Sequence, residues 1–252
     1  MLKTLKSLLP NPLKKWMKRP YKAALSSMVD LDREFLSRIY LKGKGLEVGA
    51  LHNPLVVGKQ AKVSYVDRYS NADLVTHYPD LSSSGLVDVD IIDDGECLNT
   101  VLDGSQDFVI ANHFIEHCQN PIKAIHNMCR VLKPNGVLYI ALPDKRYTFD
   151  VDRPVTPFEH ILKDYREGPE QSKVDHFKEW VGAVSKIHNP VEAEKAVQEI
   201  MEKDYSIHFH VWTQTEMLEM FVMLIKHFQL SLNVEVCLKQ HQEFIMLLRK
   251  VS

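Results

Sequence analysis

Short apolar runs alternate with amphipathic segments through the first half of the chain. Five of these runs predict strands, at residues 45–49, 62–67, 87–92, 107–112 and 136–143. Helical spacing of apolar side chains predicts helices over residues 31–40 and 121–132, and Lys133-Pro134-Asn135-Gly136 ends the second of them. Strands that alternate with helices predict an α/β fold whose sheet is parallel and whose crossovers are right-handed.

The second half of the chain has a different pattern. Residues 144–205 are polar, rich in His, Asp, Glu and Lys, and they contain no strand-like run. This pattern predicts a mostly helical insertion, which would cover the carboxyl ends of the strands as a substrate lid. A further helix is predicted at residues 215–229, and two more strands are predicted at 230–238 and 243–248.

Composition narrows the class of protein. With 252 residues, 45% of them hydrophobic and 25% charged, the chain resembles an ordinary soluble globular protein. Its four cysteines show neither a CxxC pair nor a zinc-finger spacing, which predicts reduced thiols and therefore the cytoplasm. No apolar stretch approaches the roughly 20 residues that cross a bilayer, and the first residues do not resemble a signal peptide.

Charge divides the chain into two predicted parts. Residues 1–29 contain seven basic side chains and no acidic one, interleaved with leucines, Trp16 and Met17. They predict a basic amphipathic arm that contacts the anionic inner face of a membrane, although an arm that is solvated or packed on the domain fits equally well. Residues 30–252 form the predicted main domain. This part is acidic, which argues against a nucleic-acid partner. The sequence leaves the oligomeric state open.

The first predicted strand enters a glycine turn that suits a nucleoside cofactor. Gly49 allows the backbone to approach a ligand closely, but the loop lacks the three glycines that cradle a dinucleotide pyrophosphate. A nicotinamide-dependent oxidoreductase is therefore disfavoured. Asp67 ends the second strand, 20 residues after Glu47, where an acid accepts hydrogen bonds from ribose hydroxyls. Asp94, followed by Gly95, ends the third strand and could meet an adenine amino group.

These motifs together resemble a known family. The segments at 46–54, 65–67 and 107–112, the pair Glu116-His117, and the block Arg130–Gly136 resemble class I S-adenosylmethionine (SAM)-dependent methyltransferases of the methyltransferase-11-like type. The resemblance implies a Rossmann-like sheet of seven strands, mostly parallel with an antiparallel last strand, and SAM as cofactor. It implies cofactor contacts from Glu47, Gly49, Ala50, Asp67, Arg68, Asp94, Gly95 and Asn112. Leu51 departs from the pattern, because many relatives have a second glycine there.

A narrower resemblance concerns the acceptor. The segments at 143–160 and 208–213 are similar to bacterial methyltransferases encoded among surface-polysaccharide and glycosyltransferase genes. It implies methyl transfer to a small molecule or glycan, at an oxygen or nitrogen of a saccharide or lipid-linked glycan. The polar groups expected at such an acceptor are Asp150, Arg153, His160, His208 and His210. A non-catalytic protein with this fold, acting as a scaffold at a membrane or a glycosyltransferase, stays as the alternative.

Histidines after the fourth strand are the candidate catalytic groups, because an acceptor oxygen or nitrogen can lose its proton to a general base. His113, Glu116 and His117 would share one face if they began a helix. His113 and His117 are therefore predicted to be catalytic, with His113 the first candidate for the base. The same trio could hold a metal, or Glu116 and His117 could simply brace the sheet. His208 and His210 alternate as strand residues do, but no spacing demands a metal, and no metal ligand is predicted.

Overall fold

The computed structural model describes residues 31–79 and 85–251, which form one seven-stranded sheet with helices around it. The strands are β1 (Gly43–Val48), β2 (Ala61–Asp67), β3 (Ile91–Ile92), β4 (Gln106–Asn112), β5 (Leu132–Pro143), β6 (Leu232–Gln240) and β7 (Glu243–Lys250). The helices are α1 (Arg33–Tyr40), α2 (Asn71–His77), α3 (Pro121–Val131), α4 (Phe158–Glu167), α5 (Glu170–Ala183), α6 (Pro190–Glu202) and α7 (Gln214–Phe228). The predicted arm at residues 1–29 lies outside the described residues.

The strand order confirms the predicted fold class. The strands lie in the order β3-β2-β1-β4-β5-β7-β6. The pairs from β3 to β5 are parallel, whereas β7 is antiparallel to both of its neighbours. The sheet is therefore Rossmann-like, with the last strand antiparallel. The order reverses between β1 and β4, and open α/β sheets bind ligands at the carboxyl ends of the strands beside such a reversal.

One predicted strand is much shorter than expected. The apolar run at residues 87–92 pairs with β2 only at Ile91 and Ile92. The preceding residues use their backbone donors elsewhere, because the amide of Val87 donates to the Leu51 carbonyl and that of Val89 donates to the Asn71 side chain. This segment therefore connects the glycine loop to α2 instead of extending the sheet.

Both faces of the sheet are buried. One face packs against α3 and α7 through a large apolar cluster that includes Ile125, Met128 and Phe221, and the other packs against α1 through a cluster that includes Leu36 and Tyr139. The predicted helix at 215–229 is confirmed as α7. It begins with a capping box between Thr213 and Glu216, which satisfies the first free amides of the helix.

The polar region after β5 contains helices, as its pattern predicts. The helices α4, α5 and α6 all lie within residues 144–205. α5 and α6 have an apolar cluster of their own, formed with the segment that follows α6. Its buried members are Phe177, Val181, Val197, Ile207 and Phe209. In the described part of the chain, no helix combines the length and apolar character needed to cross a bilayer.

Candidate functional site

A cavity of about 700 Å³ lies at the carboxyl ends of β1, β2 and β4. Its floor includes Gly49, Asp67 and Phe114 from the sheet edge, and its opposite wall includes Tyr205 and Ser206 from the segment after α6. This volume is in the range of small-molecule sites. The position matches the edge at which open α/β sheets bind ligands, so this cavity is the candidate site.

The glycine loop keeps a tight turn despite Leu51. Gly49 has a φ of +67° and Leu51 a φ of +49°, so both lie in the left-handed region. That region costs a residue with a Cβ atom roughly 1–2 kcal/mol. The hydrogen bond from the Val87 amide to the Leu51 carbonyl helps to hold this conformation. Leu51 therefore adopts a glycine-like backbone and adds its side chain to the cavity lining.

Glu47 supports the loop from below the cavity. Its side chain is buried, and its two carboxylate oxygens accept the Leu55 amide at 2.9 and 3.1 Å. Burial raises the pKa of Glu47 to about 7, against the opposing effect of the Leu55 hydrogen bond. Glu47 does not line the cavity, so the structure places it as a brace for the loop that carries Gly49.

Replacing Glu47 with glutamine should remove a pH-dependent loss of stability. Its pKa is 4.5 in an unfolded chain and about 7 here, so the folded state binds more protons between these values. Stability must then fall as pH rises through this window, by up to about 3 kcal/mol. Urea unfolding at about pH 5 and about pH 8 measures the loss, which should be smaller in Glu47→Gln than in the unmodified protein. Equal losses would show that the carboxyl is not buried as described.

The acids after β2 and β3 both reach the cavity. Asp67 lies at the end of β2, and one of its oxygens accepts the Tyr69 amide at 3.2 Å. Burial raises the pKa of Asp67 above its usual value. Asp94 lies across the cavity floor and accepts the Glu96 amide at 2.9 Å. The structure thus brings the predicted ribose and adenine acceptors to one cavity.

Arg68 and Gly95 also line this cavity, but through different contacts. Arg68 forms an ion pair at 2.8 Å with Asp204, which lies just after α6, so this pair bridges the sheet edge and the opposite wall. A Cβ atom at Gly95 would lie 2.5 Å from both Phe114 and Val48. The glycine is therefore required for the packing of Phe114 against the cavity floor.

The residues of this edge fit the expected nucleoside cofactor. Both polar atoms of the Asn112 side-chain amide are buried without a hydrogen-bond partner among the described residues. Asn112 does not line the cavity, however, so its predicted contact with the cofactor is not seen in this arrangement. Asp67 and Asp94 supply acceptors for hydroxyl and amino groups. Ala50 does not line the cavity, so its predicted contact could involve only the backbone of the loop.

His113 lies at the centre of a charged network at the cavity edge. Its Nε2 atom is 2.8 Å from a carboxylate oxygen of Glu243 and 2.7 Å from a guanidinium nitrogen of Arg33, and its Nδ1 atom is 3.4 Å from Glu116. Burial lowers the pKa of His113, but the carboxylates of Glu116 and Glu243 outweigh burial and Arg33 and raise it to about 9. At neutral pH the ring is therefore protonated and cannot accept a proton.

His117 is the neutral histidine of the site. Residues Ile115–His117 form a 3-10 turn in place of the expected helix, and His117 lines the cavity. Burial lowers the pKa of His117 below its usual value, despite the nearby Glu116. Nδ1 lies 2.9 Å from the Ile207 carbonyl, which can only accept, so this nitrogen carries the proton. Nε2 is then the basic nitrogen.

Glu116 is the buried carboxylate of this turn. Its side chain is 1% exposed, and neither oxygen makes a hydrogen bond of ordinary geometry within the described residues. Its pKa is nevertheless held below the usual value, because His113 and His117 outweigh the effect of burial. The backbone carbonyl of Glu116 accepts the amides of Phe209 and His210. Glu116 thus ties the turn to the wall of the cavity.

The five residues predicted to contact an acceptor lie in two clusters behind the cavity wall, and none lines the cavity; all are buried except His160, which is partly exposed. In the first cluster, Asp150 accepts from Arg153 at 2.9 Å and contacts Nδ1 of His208 at 2.7 Å. In the second, His160 and His210 gather with His176. The expected strand through His208 and His210 is absent at residues 206–213, so the two rings belong to different clusters instead of one face.

Several cavity residues have no local signal in the sequence. Tyr205, Ser206 and Phe209 reach the cavity only because the chain after α6 folds back over the sheet edge. Arg33 and Glu243 reach His113 from α1 and the start of β7, 80 and 130 residues away. In the sequence, Arg33 and Glu243 are recognisable only as charged residues, and charged residues are common on any protein surface.

Comparisons with known proteins agree with this architecture. The family described as "Methyltransferase domain" matches residues 30–221. A SAM-dependent methyltransferase from Aquifex aeolicus is 14% identical, with 84% of this chain and 85% of that chain covered and a TM-score of 0.45. A SAM-dependent methyltransferase from Methanosarcina mazei is 17% identical, with 84% and 95% covered and a TM-score of 0.41. These two similarities are too low to carry an argument, and no curated protein matches the sequence.

The family match covers most of the chain and includes every strand from β1 to β5. The sheet order and the nucleoside-type cavity at its carboxyl edge agree with that match. The chain therefore belongs to the methyltransferase domain family and is an enzyme that uses S-adenosylmethionine as its methyl donor.

Proposed function

We propose that this methyltransferase transfers the methyl group to an oxygen, or a nitrogen, of a saccharide or lipid-linked glycan, with His117 as the general base. The observation that carries the proposal is the state of His117 in the cavity wall. It is neutral at pH 7, its proton is held on Nδ1 by the Ile207 carbonyl, and Nε2 is left as a base. A hydroxyl acceptor needs such a base more than a sulfur or carbanion acceptor does.

The proposed reaction is a single in-line displacement. SAM supplies a methyl group on a positively charged sulfur, which a nucleophile can displace. The part of this chain is proton transfer: Nε2 of His117 would accept the hydroxyl proton that the acceptor oxygen loses when it takes the methyl group. The protonated His117 is stabilised by the buried carboxylate of Glu116 beside it. His113 is already protonated and pairs with the carboxylates of Glu243 and Glu116, so it leaves the proton transfer to His117.

Two further features support a saccharide acceptor. Tyr147 and Phe149 have exposed rings just after β5, and aromatic faces stack on the apolar faces of sugars. The Phe149 ring contacts His208 at 4.9 Å between centroids, and His208 contacts His117 at 4.7 Å. The resemblance of residues 143–160 and 208–213 to polysaccharide-associated methyltransferases points in the same direction.

Transfer of a radioactive methyl group tests the acceptor class. The purified protein is incubated with SAM labelled on its methyl group and with separated cell fractions of soluble oligosaccharides, lipid-linked glycans, proteins and nucleic acids. Label in either glycan fraction, released by acid hydrolysis as a methylated sugar, is expected. Label in protein or nucleic acid would overturn the acceptor class. SAM binding without transfer to any fraction would favour the non-catalytic alternative, for which the Leu51 side chain in the cavity is the motivating observation.

Replacing Asp67 with alanine should weaken SAM binding. The carboxylate is expected to accept hydrogen bonds from the ribose hydroxyls, and hydrogen bonds to a charged group contribute about 1.5–3 kcal/mol. The Kd measured by titration calorimetry should therefore rise about 10- to 100-fold. Asp88→Ala is a matched control, because Asp88 is an exposed aspartate that does not line the cavity. Equal Kd values for the two variants would place the ribose elsewhere.

The proposed place of action is the cytoplasmic face of a membrane, where the basic arm at residues 1–29 contacts anionic lipids. The motivation is the charge pattern of the sequence. Co-sedimentation with vesicles checks this idea. The protein should bind vesicles that contain phosphatidylglycerol and should dissociate from them at high salt. It should not bind vesicles of phosphatidylcholine alone. Equal binding to both vesicles, or none to either, would remove the membrane from the proposal.

A further inference from the structure

Three histidines from three separate segments meet behind the cavity wall. His160 lies on α4, His176 lies on α5, and His210 lies between α6 and α7. One nitrogen of each ring lies within 4.8 Å of the other two. The Nε2 atoms of His160 and His176 are only 3.0 Å apart. None of the three lines the cavity, so this cluster is separate from the site described above.

His210 is the least satisfied member of the cluster. Its ring is fully buried, and neither ring nitrogen makes a hydrogen bond of ordinary geometry to the described residues. Leaving a buried polar group unpaired is expensive, so such groups usually have a partner that the protein atoms alone do not reveal. The ring is flanked by His160 and His176, with centroid distances of 5.6 and 4.8 Å, and by the indole of Trp212.

A carboxylate completes the group. Asp164 follows His160 by one helical turn on α4, and its side chain is buried. Its Oδ1 atom accepts the Ser172 hydroxyl at 2.7 Å, whereas its Oδ2 atom makes no hydrogen bond and lies 3.3 Å from Nε2 of His160. Oδ2 therefore lies beside the His160 nitrogen at the edge of the three-histidine group, and a rotation of the Asp164 side chain would bring it to an ion held by the three rings.

We propose that His160, His176, His210 and Asp164 bind a divalent transition-metal ion of the zinc type. Three imidazole nitrogens and one carboxylate oxygen match the tetrahedral ligand set of Zn²⁺, with bonds of about 2.0–2.2 Å. The metal would give both unpaired groups, the His210 ring and Oδ2 of Asp164, a partner. It would also separate the two close nitrogens of His160 and His176 by binding both.

Such a site has a structural role. Four protein ligands leave no open position for water or substrate, which is typical of structural zinc. The ion would connect α4 and α5 to the segment that contains Phe209 and His210. Phe209 lines the cavity, and the amides of both residues donate to the Glu116 carbonyl. The cavity wall would then be held against the His117 turn. The spacing of residues in the sequence does not predict this site, because the ligands come from two helices and a distant loop.

Metal titration of chelator-treated full-length protein tests the proposal. Co²⁺ is the first probe, because a tetrahedral site gives strong visible absorption and a surface-bound six-coordinate ion gives only weak absorption. We expect strong absorption that saturates near one ion per chain and is abolished by an equivalent of Zn²⁺. We also expect the melting temperature to rise by about 5–10 °C when Zn²⁺ is at about 100 times its Kd. Weak absorption alone, or no binding, would overturn the site.

Variants locate the binding. His160 has a side chain 32% exposed, so His160→Ala should fold, and it should weaken metal binding about 100-fold or more. His188→Ala changes an exposed histidine outside the cluster and should leave the affinity unchanged. His117→Ala should also retain it, although His117, Glu116 and His208 form another close group. Loss of binding in His117→Ala but not in His160→Ala would overturn the assignment.

Discussion

Replacing His117 with alanine should lower the turnover number about 10²- to 10⁴-fold and leave the Kd for SAM almost unchanged. The neutral ring lines the cavity and carries its proton on Nδ1, so its Nε2 atom can accept the acceptor's proton. The measurement is transfer of labelled methyl to the active glycan fraction, together with SAM titration by calorimetry. A drop in SAM affinity as large as the drop in turnover would assign His117 to cofactor binding instead.

The pH profile gives a second check on this role. The base must be unprotonated, and burial lowers the pKa of His117 below its ordinary value of 6.5. Turnover should therefore stay constant through neutral pH and fall only as the pH drops through this lowered pKa. The acid limb should disappear in His117→Ala and persist in His188→Ala, which changes an exposed histidine away from the cavity. An acid limb that is identical in both variants would contradict the assignment.

Replacing Arg153 with alanine should destabilise the fold by about 3–5 kcal/mol. Arg153 and Asp150 are each 1% exposed, and the guanidinium also donates to Glu179 and to the carbonyls of His208 and Phe209. Truncation leaves the carboxylate of Asp150 and two carbonyls buried without this partner. The melting temperature should fall by about 6–20 °C, which scanning calorimetry measures directly.

A surface arginine supplies the matched control for this variant. Arg38 pairs with Glu34 on α1, but the two side chains are 59% and 47% exposed. Such pairs contribute little, so Arg38→Ala should change stability by less than about 0.5 kcal/mol. Similar losses in both variants would mean that the Arg153 cluster is far more hydrated than its burial indicates.

The sequence predicts the sheet well because its signals are local. Each strand from β1 to β5 except β3 has an apolar run whose pattern fixes its position, and α3 and α7 show their spacing within single turns. β3 is the exception for a physical reason. The apolar residues before it, Val87 and Val89, donate their amides to Leu51 and Asn71, and a pattern of side chains cannot show where backbone donors go.

The same difference between local and distant signals applies to the residues of the site. The sequence predicts that Asp67, Asp94 and His117 lie at one edge because they follow strands in a fixed order along the chain, and all three line the cavity. The state of each histidine could not be found in that way, because it depends on distant partners. Glu243 and Arg33 determine the charge of His113, and the Ile207 carbonyl determines the tautomer of His117. Asp150, Arg153 and His208 attract attention as polar residues, yet the fold uses them to pair with one another.

The separate apolar cluster of α5 and α6 gives this enzyme a modular construction. Phe177, Val181 and Val197 pack with Ile207 and Phe209, so this unit carries its own core and reaches the cavity through two short stretches, residues 169–170 and 204–209. The core of this unit contains neither the glycine loop nor Asp67. If this wall contacts the acceptor, as proposed above, acceptor preference can diverge during evolution while cofactor use is preserved, and exchange of residues 144–210 between relatives would change it.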